Sequence, residues 1–481
     1  MNASLMILEL AVIAVALGIL LVDLWTPAAR KVQLGYLAIA ALFAILIGSF
    51  FIEAGPNRHA FGGSYTLDPL ALFFKQFFIV AAIFVLLISI SFADRIAVGI
   101  SEFYSILLFA LSGMMFAASA NDFIMVFVSL ELITVSFYIL TSFQRSRLKS
   151  VEAGVKYLIV GGVASAFMVY GIALIFGMAQ TTNFDAVFAA ANKFYSKPLF
   201  IIGVVLVIAG LAFKIAAFPL QIWAPDVYQG SPAPVTAFLA VGSKSAGFVL
   251  LLRMLFSAVP EAVFDWSQVI IVIAALTILY GNLCAIPQRN LKRLLGYSSI
   301  SNAGYLLLGV AAASAAGSSA VLYYLGGYLF TVIAAFTVIS ILTRQADDED
   351  ISIVAGLHRR SPLLAASLAL AMISLAGIPP LAGFFGKFLL LKSIVERSAS
   401  DSRFLVLIII TLFGVVTSFY YYLGVVRAIY WSKVVPDYSE IPLPLTARLS
   451  LYLCIAAILF LGIFPNSLVN MANAAVASLR F

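Results

Sequence analysis

The chain has 481 residues, of which 63% are hydrophobic and 10% charged, a balance that excludes a soluble globular protein and identifies an integral membrane protein. The net charge of +7 suggests nucleic acid only until the basic residues are located: they gather at membrane ends, where they set topology. Cys284 and Cys454 lie in apolar runs and His59 and His358 in polar loops, which excludes a disulfide framework, a thiolate cluster and a histidine-ligated intramembrane haem.

Apolar runs of roughly 18 to 25 residues, the length that spans a bilayer, fall at 4–25, 34–52, 69–92, 102–119, 122–143, 153–178, 198–224, 234–257, 267–286, 293–313, 318–343, 361–396, 403–431 and 449–470. They predict an all-α polytopic protein of about fourteen transmembrane helices. The first run has no basic flank and carries Glu9, so it reads as a retained helix rather than a signal peptide. If the spans alternate, Arg30, Lys31, Arg95, Arg145, Arg147, Lys149, Arg289, Lys292, Arg293, Arg344, Arg359, Arg360, Arg427, Lys433 and Arg448 share one side. The other side holds mainly Arg58, Lys193, Lys197, Arg397, Arg403 and Arg480. The excess of basic residues places the first side in the cytoplasm and both termini outside.

Residues 1–481 form a single membrane domain, because the longest polar stretches, Glu53–Asp68, Thr181–Lys197, Arg344–Ser361 and Ser432–Arg448, are too short to bury a core. Thr181–Lys197 alternates apolar and polar residues at helical spacing and is expected to lie flat at the interface. The acidic run Asp347, Asp348, Glu349 and Asp350 lacks the turn glycine of a cation loop and reads as solvated.

Gly210–Gly247 departs most from an ordinary span. Pro219, Pro225, Pro232 and Pro234 break it, and Lys214 and Lys244 flank the break deep among Ala, Val, Leu and Phe. Backbone freed at membrane depth must be buried in protein or line water, and an ionisable residue there is first read as functional. The twelfth run repeats the theme: Pro379 and Pro380 break a helix carrying Lys387. Broken helices five spans apart suit an inverted five-helix repeat, whose interrupted members mark a transport site.

Glu131 lies mid-way along the fifth run, with only Ser129, Thr134 and Ser136 as polar neighbours. A charge at that depth costs about 3 kcal/mol, so a cationic partner or a proton is required. Burial away from water weakens an amine's hold on its proton, whereas a neighbouring carboxylate strengthens it. A Glu–Lys pair that separates is therefore a proton switch. A static buried pair explains one lysine, but not three sharing one deep carboxylate. Lys156 stands one turn after Glu152, where a helical ion pair or snorkelling accounts for it as readily as transport. Glu9, Lys75 and Arg253 lie nearer span ends and read as anchors, and Asp226 as an inlet charge or a helix cap. Tyr420, Tyr421 and Tyr422 divide between interfacial belt and pathway. No phosphate loop, dinucleotide fingerprint, zinc-protease helix or nucleophile elbow is present in a usable context, so neither nucleotide hydrolysis nor acyl transfer is indicated, and no metal site is predicted.

The stretches FVSLELITVSFYIL, EAGVKYLIVGGVASAFMVYG, FKIAAFPLQIWAPDVYQGSPAPVTAFLAVGSKSAGF, QRNLKRLLGYSSISNAGYLLLG, LHRRSPLLA and SLAGIPPLAGFFGKF together resemble the antiporter-like membrane subunits of respiratory complex I. The opening GILLVDLW and LDPLALFFK are similar to the subunit N branch, which is subunit 2 in mitochondria and chloroplasts. The resemblance implies N-terminal helices 1–3 over 1–100, inverted repeats over 102–257 (helices 4–8) and 267–431 (helices 9–13), and helix 14 over 449–470. It implies proton translocation along a mid-membrane axis, driven by quinone reduction in other subunits. By position, Glu131 matches the family's coupling glutamate, Lys214 its partner in the broken seventh helix, Lys244 the central lysine and Lys387 that of the broken twelfth helix. Lys156 matches a sixth-span lysine. NADH, FMN, iron–sulfur clusters and quinone are expected in partner subunits, with no cofactor and no redox centre in this chain. Subunit M-like and small J/K-like subunits and membrane lipid are the implied partners, and a bacterial inner membrane the implied location. In the eleventh span Tyr323, Tyr324, Tyr328 and Thr331 stand where relatives often carry lysine or histidine, so the route from Lys244 to Lys387 is expected to run through water and hydroxyls. A subunit of a multisubunit sodium/proton antiporter, or a non-pumping scaffold, is the competing reading.

Overall fold

A computed structural model describes all residues except 1–2, 56–57, 97–98, 195–196, 260–264, 345–348 and 433–439. Lys433, Asp347 and Asp348 thus lie outside the described residues. Because lipid offers no partner for a backbone amide, the apolar runs have become helices. Thirteen of those described are long and apolar enough to cross a membrane: Ala3–Asp23, Ala28–Ser49, Pro69–Arg95, Ile100–Ala118, Phe123–Thr141, Leu148–Ala179, Pro198–Ile215, Ala233–Ala258, Trp266–Ala285, Leu291–Ala311, Ala315–Leu342, Arg403–Trp431 and Leu445–Ile463. The fourteenth crossing is built from two shorter pieces, Pro362–Ala376 and Ala382–Ser398, which together form the broken twelfth helix. The seventh is likewise completed by Trp223–Gly230.

Two boundaries differ from expectation. The predicted run 449–470 ends at Ile463, and a separate helix, Asn466–Val476, folds back so that Ala472, Ala475 and Val476 are buried. Phe464 and Pro465 lie between the two helices, and proline cannot continue a helix as a hydrogen-bonded residue. The polar loop after the second span holds a small antiparallel hairpin, His59–Ala60 with Tyr65–Thr66, that periodicity did not reveal. In the segment expected to lie flat, Phe184–Ala190 is helical, capped by Asn183, and turns Phe184 and Val187 into the bundle.

Burial sorts the spans. The eighth and tenth are surrounded by protein throughout and the eleventh nearly so, whereas the first, second, sixth and thirteenth keep broad apolar faces outward. The tenth is the least apolar crossing; its Ser298, Ser299, Ser301 and Asn302 are all buried. Polar side chains at membrane depth belong inside the bundle, away from lipid. Gly281 allows the ninth span to lie against it, since a Cβ there would sit 2.4 Å from the Ser301 nitrogen.

Contacts between loops agree with alternating spans. At one end of the bundle Tyr65 donates to the Leu5 carbonyl or to Glu9, Asn121 binds Asp185, and Arg480 pairs with Asp185. Both ends of the described chain therefore share one face. At the other end Lys31 pairs with Asp23, Arg344 with Asp94, Lys292 with Glu349 and Arg293 with Asp226. Glu349 thus neutralises a basic residue, and Asp350 caps the turn at Ser352.

Glu9, Lys75 and Arg253 are not interfacial anchors. Lys75 Nζ lies 2.9 Å from Glu9 Oε1, with both side chains wholly inaccessible. Arg253 grips Asp68 with two nitrogens at 2.6 and 3.0 Å while its Nε donates to the Ala118 carbonyl. Position near a span end suggested snorkelling; packing of the first, third and eighth spans has closed that route. Asp68 also caps the third span through the Ala71 amide, ahead of Pro69 at its first turn.

Breaking a buried ion pair costs about 3–5 kcal/mol, whereas replacing both members by apolar residues is near neutral. Lys75→Met is expected to lower the melting temperature and yield of the assembled protein, and Glu9→Leu with Lys75→Met to restore both. A double variant no better than the single one would show that the pair is not what holds these helices.

Candidate functional site

The two broken helices satisfy their freed groups in different ways. The seventh stops at Ile215 with Ala216 in the left-handed region (φ 59), so that the Ala217 amide reaches back to the Ala212 carbonyl at 2.8 Å. Beyond it the Phe218 amide donates to Thr277 of the ninth span, and the Trp223 indole N–H donates across the break to the Phe213 carbonyl at 3.1 Å. The twelfth stops at Ala376 with Gly377 at φ +89. Here Lys387, in the second half, donates to the carbonyls of Leu375 and Ala376 at 2.7 and 3.1 Å. The C-terminal end of a helix carries partial negative charge. Lys387 thus closes the break and finds its electrostatic partner in backbone.

Lys214, Lys244 and Lys387 are all buried, as expected. None has a carboxylate within 4.0 Å among the described residues. The expected Glu131–Lys214 contact is absent: Ser165 of the sixth span donates to Glu131 Oε1 at 2.5 Å, while Lys214 donates to Thr134 at 3.0 Å. Glu131 is only half-buried. Each partner is held instead by a hydroxyl, one from the sixth span and one from the fifth, and spacing along one strip of sequence could not show that. Lys214 does approach the eighth span, because a Cβ on Gly247, one turn past Lys244, would lie 3.3 Å from its own. A π-helical turn over Leu239–Ser243 precedes Lys244 directly; such turns often occur at functional positions.

Lys244 donates to the Ser299 carbonyl at 2.5 Å and contacts the Ser299 hydroxyl. The Tyr228 hydroxyl lies 2.8 Å from that same oxygen and Tyr328 donates to it at 3.2 Å. Ser299 is therefore the hub of the site. Its neighbour Ser298 meets the Tyr422 hydroxyl at 2.5 Å and accepts from Asn302, which in turn accepts from Tyr324 at 2.7 Å. Tyr421, its ring 4.4 Å from that of Tyr422 and tilted against it, donates to Asn282; Asn282 donates to Tyr305; and the Tyr305 ring lies 4.9 Å from Lys387 Nζ. A cavity of about 10 Å³ bordered by Tyr228, Ser298 and Tyr328 separates the two halves of the chain, close to the smallest space one water needs.

The expectation of hydroxyls between Lys244 and Lys387 fits this geometry, although the eleventh span supplies only part of them. Tyr324 and Tyr328 face the network, whereas Tyr323 donates to the Leu461 carbonyl and Thr331 to Gly327. Of the three consecutive tyrosines, Tyr421 and Tyr422 are buried in it and Tyr420 points outward. Ser298, Ser299, Asn302 and Tyr305 were not singled out from sequence. Their signal was the low hydropathy of the tenth span, with polar residues three and four apart on one side.

Lys156 stands apart from the buried row. It pairs with Glu152 at 2.7 Å and Asp226 at 2.6 Å and is 42% exposed. Asp226 also pairs with Arg293. With Lys149 and Gln229 these residues line an open polar cavity of about 230 Å³ on the basic face. Among the described residues no cluster of His, Cys, Asp or Glu could hold a metal ion.

Residues 120–417 match the family described as NADH:quinone oxidoreductase/Mrp antiporter, TM. NADH-quinone oxidoreductase subunit N of Desulforamulus reducens is 39% identical, covering 99% of this chain and 98% of that one. NAD(P)H-quinone oxidoreductase subunit 2 of Nostoc punctiforme is 36% identical over 100% of this chain and 92% of its own. A chain of respiratory complex I from Thermus thermophilus superposes with a TM-score of 0.81 at 30% identity, over 97% of this chain and 99% of that one. With full-length relatives above 30% identity and a family match over more than half its residues, this chain belongs to the NADH:quinone oxidoreductase/Mrp antiporter family of membrane proteins.

Proposed function

We propose that this chain is the subunit N-type, proton-translocating membrane subunit of an NADH:quinone oxidoreductase. One observation carries the reading: three buried lysines have no carboxylate within 4.0 Å among the described residues, and hydroxyl and amide groups lead from Lys244 toward Lys387 across the middle of the bundle. In this arrangement Glu131 and Lys214 stand apart. Their approach would hold a proton on Lys214, and their separation would free it to pass toward Lys244 and Ser299. Protons enter through the polar cavity at Lys156 and Asp226 and leave past Lys387. Quinone reduction, with its cofactors, takes place in other subunits of the complex; subunit M-like and small J/K-like subunits are its membrane neighbours, and this chain contributes no redox centre.

The second reading, a subunit of a cation/proton antiporter, shares the family and the buried lysines. The near-complete coverage of relatives named for the quinone reductase favours the first. The protein is proposed to sit in a bacterial inner membrane with both termini outside, which the concentration of Arg and Lys at the opposite face supports.

Groups that transfer protons contribute about 10²- to 10⁴-fold. Lys214→Ala and Lys387→Ala are expected to reduce proton pumping and quinone reductase turnover at least about ten-fold in a normally assembled complex. Pumping that persists in either variant would leave only the scaffold reading. Ser299→Ala is expected to slow pumping several-fold without loss of assembly, because it removes the shared hydroxyl at Lys244. By contrast, Lys156→Ala breaks solvated ion pairs worth about 1 kcal/mol or less and is expected to retain most activity. Single cysteines in place of Ser146 and Ser402, tested with a membrane-impermeant thiol reagent on intact cells in a background without Cys284 and Cys454, report the orientation. Labelling is expected at 402 and not at 146; the reverse would invert the topology.

A further inference from the structure

A cavity of about 140 Å³ between the second half of the twelfth span and the thirteenth adjoins the far end of the hydroxyl network. Its wall is apolar, formed by Leu308, Phe384, Phe388, Leu391, Leu412 and Val415, and Lys387 and Tyr305 stand on its lining as well. Phe388 and Leu412 are 50% and 49% exposed on the outside of the bundle, so the cavity opens sideways, toward the bilayer. Lys387 uses two of an ammonium's three donors on the carbonyls of Leu375 and Ala376. Among the described residues its third donor has no oxygen or nitrogen partner, only the Tyr305 ring 4.9 Å away, and no carboxylate lies within 4.0 Å. An apolar pocket with one polar group to fix orientation is the usual form of a small-molecule site.

This chemistry selects its ligand. Backbone carbonyls give the desolvated ammonium partial negative charge only, so an anion is favoured beside it, and the wall accepts only hydrocarbon. A phospholipid headgroup is hydrated and stays at the interface, whereas a single carboxyl on an unbranched chain can reach mid-bilayer as the neutral acid. When the acid meets Lys387 in its unprotonated form, the carboxyl O–H bond breaks and its proton passes to the Nζ lone pair. The carboxylate and ammonium formed together then pair, without a bare charge having crossed the lipid. We propose that this cavity binds a long-chain carboxylic acid taken laterally from the bilayer, with its carboxylate on Lys387. If Lys387 is the last proton station, as proposed above, the bound acid holds that station charged and inhibits turnover. Binding itself does not depend on that reading.

The test uses the intact complex in detergent, where acid-mediated proton leak has no effect, and a hexadecanoic acid carrying a diazirine on its chain. Crosslinks are expected within Phe384–Leu391 and Thr411–Val415, displaced by hexadecanoate and not by hexadecanol. Leu412→Trp, and independently Phe388→Trp, fill the mouth and are expected to reduce labelling about ten-fold, with NADH:quinone turnover unchanged and no longer inhibited by hexadecanoate. Equal displacement by the alcohol, crosslinks elsewhere, or labelling unchanged in both tryptophan variants would overturn the site. Should neither variant assemble, the crosslink positions and the acid-against-alcohol competition on the wild-type complex decide alone. Labelling as expected with wild-type turnover unaffected by the acid would keep the site and refute the role of Lys387 in transport.

Discussion

Every charge and every interrupted hydrogen bond at membrane depth must find its partner within the protein, because lipid supplies none. That single constraint organises the molecule. It explains why the two helix breaks are not exposed: one is closed by the Trp223 indole and the Thr277 hydroxyl, the other by the Lys387 ammonium. It also explains why the most polar crossing, the tenth, is wrapped on all sides by others. A residue that would be costly against lipid becomes tolerable, and useful, once its neighbours are hydroxyls and carbonyls.

The same constraint separates two kinds of buried charge. At the face shared by the termini, Glu9 with Lys75 and Asp68 with Arg253 form close ion pairs that tie the first, third and eighth spans together. Along the middle, Lys214, Lys244 and Lys387 are held instead by neutral oxygens: Thr134, Ser299 and two helix-end carbonyls. A paired charge is fixed in its protonation state by its partner. An amine held by hydroxyls has no such lock, and each hydroxyl can both accept and donate. The eighth span carries one of each kind, Arg253 in a close pair and Lys244 among hydroxyls.

Ser299 shows how a small residue acquires weight. Its one hydroxyl is shared by Lys244, Tyr228 and Tyr328, so three spans besides its own converge on a single oxygen. From there the tenth span turns Ser298, Asn302 and Tyr305 toward the ninth, eleventh and thirteenth, which extends the path toward the twelfth helix without a further charged group. Hydrogen-bonded chains of this kind polarise one another in a low-dielectric interior.

Sequence alone determined the material of this protein: helical spans, their number, their alternation, and the two places where proline forbids a helix to continue. Those properties follow from local chemistry, the length of an apolar run and the missing amide of proline, and need no knowledge of neighbours. It also marked Lys214, Lys244 and Lys387, since a lysine in hydrocarbon is conspicuous in any register. What tertiary structure alone decided was partnership. Glu131 turned to Ser165 rather than Lys214, Lys75 and Arg253 were drawn inward, and unremarkable serines and tyrosines on four different spans came to line one path. Which side chains meet depends on how helices rotate and cross, and a hydroxyl has the same appearance in sequence whether it faces its own helix or the centre of a bundle.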